Sequence, residues 1–238
     1  MGSSPFLYRL LEITLSPMLW RLYRVKCEGL ENFPVEGGVI VAANHVSFMD
    51  SFFIPLVLPR RVVYLAKAEY FESWKTAWFV KALGMIPVKR GVRSQAEAAL
   101  RSGVEVLEAG GVLGLYPEGT RSPDGRLYRG RTGVARLALR SGAPVVPVGL
   151  VGSRKVMPKG ARLPKLWGDV TVKIGTPMTF EKYKGQEDDR QVLRTITDEI
   201  MARILALSGQ KYVDQYAGKR ASGVSPEDFR IPGEEMLG

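Results

Sequence analysis

The only histidine of this 238-residue chain, His45, lies in the stretch NHVSFMD, five positions before Asp50. The apolar run before it, GGVIVAA, is typical of a buried strand, and the residues after it are typical of a helix. A chain that leaves a strand and immediately starts a helix can fold Asp50 back onto one ring nitrogen of His45. The other nitrogen would then act as a general base, while the carboxylate fixes the tautomer and stabilises the imidazolium. The structural alternative is an ordinary capping box, S-x-x-D, from Ser47 to Asp50.

The sequence offers no protein nucleophile beside this pair. It contains no G-x-S-x-G stretch, and the single cysteine, Cys27, has no second histidine that could activate it. One cysteine and one histidine also exclude an internal disulfide and the usual zinc ligand sets. Direct transfer from an activated donor, such as a thioester, to a bound alcohol is therefore favoured over an acyl-enzyme.

A second polar loop, YPEGTRS at 116–122, follows another apolar run, GVLGL. Arg121 provides a forked donor that suits a phosphate, and Glu118 can orient that arginine or bind a hydroxyl. On its own, P-E-G-T is typical of a turn that carries an exposed ion pair.

Two further stretches are weaker when taken alone. In GMIPVKRG, at 84–91, Lys89 and Arg90 follow a short apolar run and can reach the same edge, or they are simply a charged strand end. In APVVPVG, at 143–149, two prolines bracket a strand, which indicates a structural element that shapes a cleft.

Short apolar runs alternate with amphipathic segments along the chain, which favours strands that alternate with helices. The predicted strands cover 37–44, 61–67, 85–90, 112–116, 144–152 and 169–175, and the predicted helices cover 47–58, 73–84, 94–110, 130–142 and 189–209. This order predicts an α/β fold, a single domain with a mostly parallel mixed sheet flanked by helices. Because active sites gather at the carboxyl ends of parallel strands, His45 and Glu118 are expected at one edge.

The predicted division of the chain is an N-terminal amphipathic helical segment at 1–26, the α/β domain at 27–210 and a polar tail at 211–238. Residues 5–25 carry leucines at helical spacing, and Trp20 and Tyr23 suit the depth of lipid headgroups. We therefore expect a membrane-associating helix that lies on the surface, with a helix packed on its own core as the alternative. No run of 18 apolar residues occurs, so no membrane-spanning helix is expected.

Positive charge is concentrated in one part of the sequence. The net charge is +10, and residues 121–165 alone hold 11 basic side chains and a single acid. Such a field implies an anionic partner, which can be nucleic acid, a phosphorylated metabolite or an anionic membrane surface. Within it, residues 156–167 combine apolar side chains with Lys159, Arg162 and Lys165, as expected of a loop that contacts anionic headgroups or of an ordinary solvated loop.

Taken together, in this order and spacing, these stretches resemble the sequence blocks of the 1-acylglycerol-3-phosphate acyltransferase family, the lysophosphatidic acid acyltransferases of the glycerolipid acyltransferase superfamily. Its N-H-x-S-x-x-D block matches residues 44–50, and its F-P-E-G-T-R-S block matches residues 116–122, with Tyr116 in place of phenylalanine. Its second block, a glycine followed six residues later by an arginine, resembles Gly84 to Arg90, although the family often has an acid where this chain has lysine before the arginine. Its V-x-P-V block resembles residues 145–148.

The resemblance implies a magnesium-independent acyl transfer at a membrane surface. His45 would deprotonate the free hydroxyl of a lysophospholipid, and Asp50 would orient His45. The resulting alkoxide would attack the thioester carbonyl of the donor, acyl-CoA or acyl carrier protein, without any cofactor. The residues expected to bind the phosphate-bearing acceptor are Arg90, Glu118, Gly119, Thr120 and Arg121.

The implied enzyme is a 1-acylglycerol-3-phosphate O-acyltransferase that makes phosphatidic acid from lysophosphatidic acid. It is expected as a peripheral protein on the cytoplasmic face of the cell membrane, with no nucleic acid as partner. Three alternatives stay open: another lysophospholipid or an aminolipid as acceptor, a thioester hydrolase in which His45 activates water, and a basic nucleic-acid-binding module. The basic stretch lacks interleaved aromatic residues, which disfavours the last of these.

Overall fold

The computed structural model describes residues 16–67, 72, 85–88 and 93–217, and these form an α/β fold around one central sheet. The strands are β1 (Lys26–Glu28), β2 (Val39–Ala43), β3 (Val62–Lys67), β4 (Ile86–Val88), β5 (Val112–Leu115), β6 (Leu127–Tyr128), β7 (Val145–Val151), β8 (Thr171–Ile174) and β9 (Tyr212–Val213). The helices are α1 (Asp50–Val57), α2 (Arg93–Glu108), α3 (Gly133–Ser141), α4 (Ser153–Val156) and α5 (Arg190–Ser208). Residues 16–22 are helical as well.

Seven strands form the main sheet in the order β1-β8-β7-β2-β5-β3-β4. Strand β2 lies at its centre and pairs in parallel with β5 on one side and with β7 on the other. Within the described residues, β7 with β8 is the one antiparallel pairing of this sheet. The predicted α/β fold with a mostly parallel mixed sheet is therefore confirmed.

Strand β2 shows why both faces of the sheet need a layer of helices. All five of its residues are buried, and alternate side chains point to opposite faces. Val39 and Val41 join a core with α1 and the helix at 16–22, whereas Ile40 joins a core with α2, α3 and α5. A run of consecutive apolar residues, without polar alternation, is what such a strand requires.

Three strands lie where the sequence did not predict them, and each is only two or three residues long. Strand β1 spans the predicted boundary between residues 26 and 27 and pairs in parallel with β8. Strands β6 and β9 pair with each other, so residues 212–213 of the predicted tail are hydrogen-bonded to residues 127–128. A segment of two or three residues is too short to show an alternation of apolar and polar side chains. Such a strand can therefore be recognised only by its pairing with another strand.

The described end of the N-terminal segment packs on the domain. Tyr23 is 1% exposed and meets Phe53 of α1 edge-on, with the ring centroids 5.4 Å apart, so its expected position among lipid headgroups is wrong. Trp20 of the same helix is 40% exposed. Residues 1–15, the predicted helix at 73–84 and residues 218–238 lie outside the described residues. Across the part that is described, no helix is long and apolar enough to cross a bilayer.

Candidate active site

The lone histidine and its aspartate meet at the carboxyl end of the central strand. His45 lies two residues after the end of β2, and Asp50 begins α1, so the four residues between them form a turn that brings the two side chains together. His45 Nδ1 lies 3.0 Å from Asp50 Oδ2. The side chain of His45 is 16% exposed, whereas that of Asp50 is 0% exposed. The carboxylate is therefore inaccessible to solvent, and Nε2 is the ring nitrogen available to a substrate.

The same oxygen of Asp50 also holds the turn together. Oδ2 accepts hydrogen bonds from the backbone N–H groups of Val46 and Ser47, each at 2.8 Å. Ser47 Oγ in turn accepts from the backbone N–H of Met49 at 3.1 Å. Of the predicted capping box, the bond from the Ser47 N–H to the Asp50 carboxylate is present, and the same carboxylate oxygen is the partner of the imidazole. Met49 is the N-cap of α1 and makes no side-chain cap bond.

Glu118 holds the backbone of His45 in place through a hydrogen bond to its buried carboxylate. Its Oε1 accepts from the backbone N–H of His45 and its Oε2 from that of Tyr128, both at 3.0 Å, and the residue is 0% exposed. Burial raises the pKa of Glu118 to about 7, and the two backbone hydrogen bonds lower it in part. This placement differs from the expected contact with Arg121 or with a substrate hydroxyl, because both carboxylate oxygens are turned inward to backbone groups.

Two tyrosine rings stack on one face of the imidazole of His45. The rings of His45 and Tyr116 are nearly parallel, at 10°, with centroids 3.8 Å apart, and Tyr64 stacks behind Tyr116 at 5.8 Å. Gly114 makes room for this arrangement, since a Cβ there would lie 2.5 Å from the Tyr64 ring. The hydroxyl of Tyr116 is bonded to Ser51 Oγ at 2.9 Å. Burial, first of all, raises the pKa of Tyr116 well above its ordinary value, so the phenol stays neutral.

Asn44 ties this loop to the neighbouring strand. Its amide accepts from the backbone N–H of Leu150 at 2.7 Å and donates to the Leu150 carbonyl at 3.0 Å, and the residue is fully buried. Ser122 donates its backbone N–H to the His45 carbonyl at 2.7 Å. Asn44 is therefore held by β7, and the backbone of His45 is held by the loop after β5.

The loop after β5 brings the expected anion-binding residues to the same edge. Gly119 adopts a left-handed conformation, with φ of 72°, which closes a turn through its N–H to the Tyr116 carbonyl at 2.9 Å. Thr120 and Arg121 follow, both half-buried, next to Ser122, which contacts His45. The fifth expected binding residue, Arg90, and its neighbour Lys89 lie outside the described residues.

The arrangement can perform base-assisted transfer to a hydroxyl. A buried carboxylate that accepts from Nδ1–H leaves Nε2 as the proton acceptor and stabilises the positive charge that the ring gains. Asp50 and the stacked Tyr116 ring hold the imidazole, and Glu118 holds the backbone N–H of His45. Among the described residues, Asp50 is the side chain that hydrogen-bonds to the ring of His45, and Tyr116 is the ring that stacks on it.

Comparison with known proteins places this site in a family. The Acyltransferase family model matches residues 24–151, which span β1 to β7 and so include His45, Asp50 and the loop after β5. The chain belongs to the acyltransferase family. Its solved neighbours include the crystal structure of the 1-acyl-sn-glycerophosphate (LPA) acyltransferase PlsC from Thermotoga maritima, which is 30% identical. That match has a TM-score of 0.64 and covers 84% of this chain and 80% of the other.

Curated relatives of this acyltransferase carry similar names. The chloroplastic 1-acyl-sn-glycerol-3-phosphate acyltransferase of Brassica napus is 34% identical over 166 residues, which is 69% of this chain and 48% of the relative. The 1-acyl-sn-glycerol-3-phosphate acyltransferase of Bacillus subtilis is 28% identical over 188 residues, 78% of this chain and 89% of the relative. The chain thus spans about half the length of the plant relative and most of the bacterial one.

The reacting pair of this acyltransferase was easier to recognise from the sequence than the residues that hold the pair in place. His45 and Asp50 were predicted as a pair and lie in contact. The roles of Tyr64 and Asn44 were not predicted, although a polar residue at the end of an apolar strand, as Asn44 is, is one signal of a buried hydrogen-bond network. Tyr64 gives no such signal, because an aromatic residue within a strand is ordinary.

Proposed function

We propose that this acyltransferase moves a fatty acyl group from acyl-CoA or acyl carrier protein to the free hydroxyl of lysophosphatidic acid, giving phosphatidic acid. The observation that carries the proposal is the contact of His45 Nδ1 with the buried Asp50 carboxylate, at 3.0 Å, at the strand edge where Arg121 also lies. The names of the related proteins support lysophosphatidic acid as the acceptor.

In the proposed reaction His45 acts on the acceptor hydroxyl without forming an acyl-enzyme. Nε2 takes the hydroxyl proton while the oxygen attacks the thioester carbonyl, so a C–O bond forms as the proton leaves. The C–S bond then breaks, and the departing thiolate takes the proton from the imidazolium, which restores neutral His45. General-base help of this kind is worth on the order of 10²–10⁴-fold in rate. Asp50 contributes by stabilising the imidazolium in between.

The acceptor phosphate is proposed to bind at the loop after β5. Arg121 offers a planar, two-pronged donor that fits phosphate oxygens, and Arg90 is proposed as its partner. Gly119 and Thr120 would allow the backbone to come close to the same group. Glu118 acts indirectly in this account, because it holds the backbone of His45 against that loop.

The enzyme is proposed to work as a peripheral protein on the cytoplasmic face of the cell membrane, because its acceptor is dissolved in a bilayer. The N-terminal amphipathic segment, residues 1–26, is proposed to contribute to membrane association, and the exposed Trp20 is in keeping with that role. No cofactor takes part, since the thioester supplies the activated carbonyl.

The proposal is tested by following thiol release from palmitoyl-CoA with and without lysophosphatidic acid. We expect the acceptor to raise the rate by at least about tenfold over hydrolysis by water, because the acceptor competes from a bound position. His45→Gln should reduce that rate on the order of 10²–10⁴-fold, while thermal unfolding verifies that the variant folds. Equal rates with and without acceptor would indicate a thioester hydrolase and contradict the proposal, and a preference for another lysolipid would change the acceptor.

A further inference from the structure

The segment that follows α4 carries an unusual concentration of exposed apolar side chains. We call residues 157–168 the basic loop. Leu163 is 79% exposed, Leu166 69% and Trp167 74%. Within the described residues, these are three of the four most exposed large apolar side chains, and the fourth, Val35 at 76%, lies on the loop before β2. An apolar cluster of this kind marks a surface that contacts a partner.

Cations alternate with these apolar residues, and the loop has a defined shape. Lys159, Arg162 and Lys165 are all exposed, and no acidic residue occurs in the basic loop. The loop is folded back on itself, because the Lys165 backbone N–H donates to the Val156 carbonyl at 2.8 Å. The cations and the apolar side chains are therefore presented by one compact element and not by an extended chain.

The basic loop lies at the edge of the sheet that holds the active site. It follows the carboxyl end of β7, and β7 runs parallel to β2, whose carboxyl end carries His45. Lys159 Nζ donates to the Arg121 carbonyl at 3.0 Å, so one end of the loop contacts the loop after β5.

The other end of the basic loop reaches the helix at 16–22. A Cβ on Gly168 would lie 3.8 Å from the ring of Tyr23, at the end of that helix, and Val170 N–H donates to the Tyr23 carbonyl. Met18 and Trp20 of this helix are 53% and 40% exposed. Exposed apolar groups thus lie on the two elements that meet here.

We propose that the basic loop is a docking surface for an anionic phospholipid bilayer. Leu163, Leu166 and Trp167 enter the interfacial region, and the three cations contact headgroup phosphates. A nucleic acid would satisfy the cations but would leave the apolar side chains in water, which is why a bilayer is the partner that fits. The proposal rests on the proposed function, since a lipid acceptor gives the active-site edge a reason to face a membrane.

The test is cosedimentation of the full chain with vesicles of phosphatidylcholine, alone or mixed with phosphatidylglycerol. Exchanging Lys159, Arg162 and Lys165 together for Gln should weaken binding to the anionic vesicles by about 100-fold, at about fivefold per cation. Exchanging Leu163, Leu166 and Trp167 together for Ser should weaken binding to both kinds of vesicle by at least about tenfold. Raising the salt concentration should reproduce the first effect and spare the second.

Matched controls come from the opposite edge of the sheet. Lys182, Lys184 and Arg190 are exposed in the region after β8, which runs antiparallel to β7, and their exchange for Gln removes the same charge. Val35→Ser removes an equally exposed apolar side chain. Both controls should change vesicle binding by less than about twofold, because their side chains do not face the bilayer.

Vesicle binding needs no turnover, so its outcome is independent of whether the acceptor is lysophosphatidic acid. Unchanged binding in both loop variants would overturn the proposal, as would an equal loss in the charge control. A loss confined to the cation variant, accompanied by a loss of binding to a random oligonucleotide, would also overturn it in favour of nucleic acid. Thermal unfolding of each variant verifies that a lost interaction is not a lost fold.

Discussion

Replacing Asp50 with Asn separates the two tasks of that carboxylate. Oδ2 receives three hydrogen-bond donors, His45 Nδ1 and the backbone N–H groups of Val46 and Ser47. An asparagine that places its oxygen there keeps both backbone bonds. Its NH₂ group then occupies the position of Oδ1, which is buried and has no hydrogen-bond partner within the described structure. The turn is preserved, and the negative charge beside the imidazole is removed.

The expected losses differ in size for activity and for stability. Two unit charges 3.0 Å apart attract by about 5 kcal/mol at an effective dielectric constant of about 20. Part of this is kept by the amide oxygen, so kcat/KM should fall by about 10²–10⁴-fold. The free energy of unfolding should fall by only about 1–3 kcal/mol, since one buried NH₂ group is left unpaired.

Asp189→Asn is the matched control. Asp189 also begins a helix and also accepts two backbone N–H groups, from Gln191 at 2.7 Å and Val192 at 3.2 Å, but it has no histidine. The control should lose about 1 kcal/mol of stability or less and keep its activity within about twofold. Initial rates of thiol release and urea unfolding measure both variants. An Asp50→Asn protein with more than a tenth of the native kcat/KM would refute the role given to the carboxylate.

Three further predictions concern the supports of the site. Because the pKa of Glu118 is raised from 4.5 to about 7, the folded chain keeps a proton that the unfolded chain loses, so the native protein should lose stability as pH rises through this range. Measured against the Glu118→Gln variant, the free energy of unfolding of the native protein should fall by about 3 kcal/mol as the pH rises from 4.5 to about 7. Urea unfolding at each pH measures this difference. Tyr116→Leu should lower kcat about 3- to 10-fold by removing the ring under the imidazole, whereas Tyr116→Phe should cost less than about threefold. Arg121→Lys should raise KM for lysophosphatidic acid about tenfold with little change in kcat, because an ammonium group cannot make the two parallel hydrogen bonds that a guanidinium makes to a phosphate.

Each of these has a result that would count against it. A difference in unfolding free energy that does not change with pH would mean that Glu118 is ionised throughout. Equal rates for the Phe and Leu variants of Tyr116 would assign the effect to the hydroxyl bond with Ser51 and not to the stack. A fall in kcat at unchanged KM for Arg121→Lys would remove that residue from acceptor binding.

The main architecture could be predicted because local patterns determine it. Consecutive apolar residues in Val39–Ala43 indicate a strand buried on both faces, and the helix at Arg190–Ser208 repeats its apolar residues at helical spacing. The order of these elements implies parallel strands whose carboxyl ends share an edge. The His45–Asp50 contact was predictable for the same reason, since its partners are five residues apart in one turn.

Contacts between distant residues were not predictable in this way. Glu118 is 73 positions from His45 in the sequence. The stretch around Glu118 is compatible with an exposed ion pair as well as with a buried carboxylate that is hydrogen-bonded to the backbone of His45. Tyr23 lies at the end of a helix whose amphipathic pattern suits a membrane and a protein core equally, and it is the packing on Phe53 that buries this ring. Strand β9 is two residues long and is defined by its pairing with β6. In each case the deciding interaction is with a segment far along the chain.

The most direct test of the account is the identity of the lipid product. The native protein and His45→Ala would be incubated with palmitoyl-CoA and an equal mixture of lysophosphatidic acid, other lysophospholipids and glycerol 3-phosphate, and the products analysed by mass spectrometry. The account predicts phosphatidic acid as the main product of the native protein and its loss in the variant. Palmitate as the only product, or phosphatidic acid made equally well without His45, would contradict it.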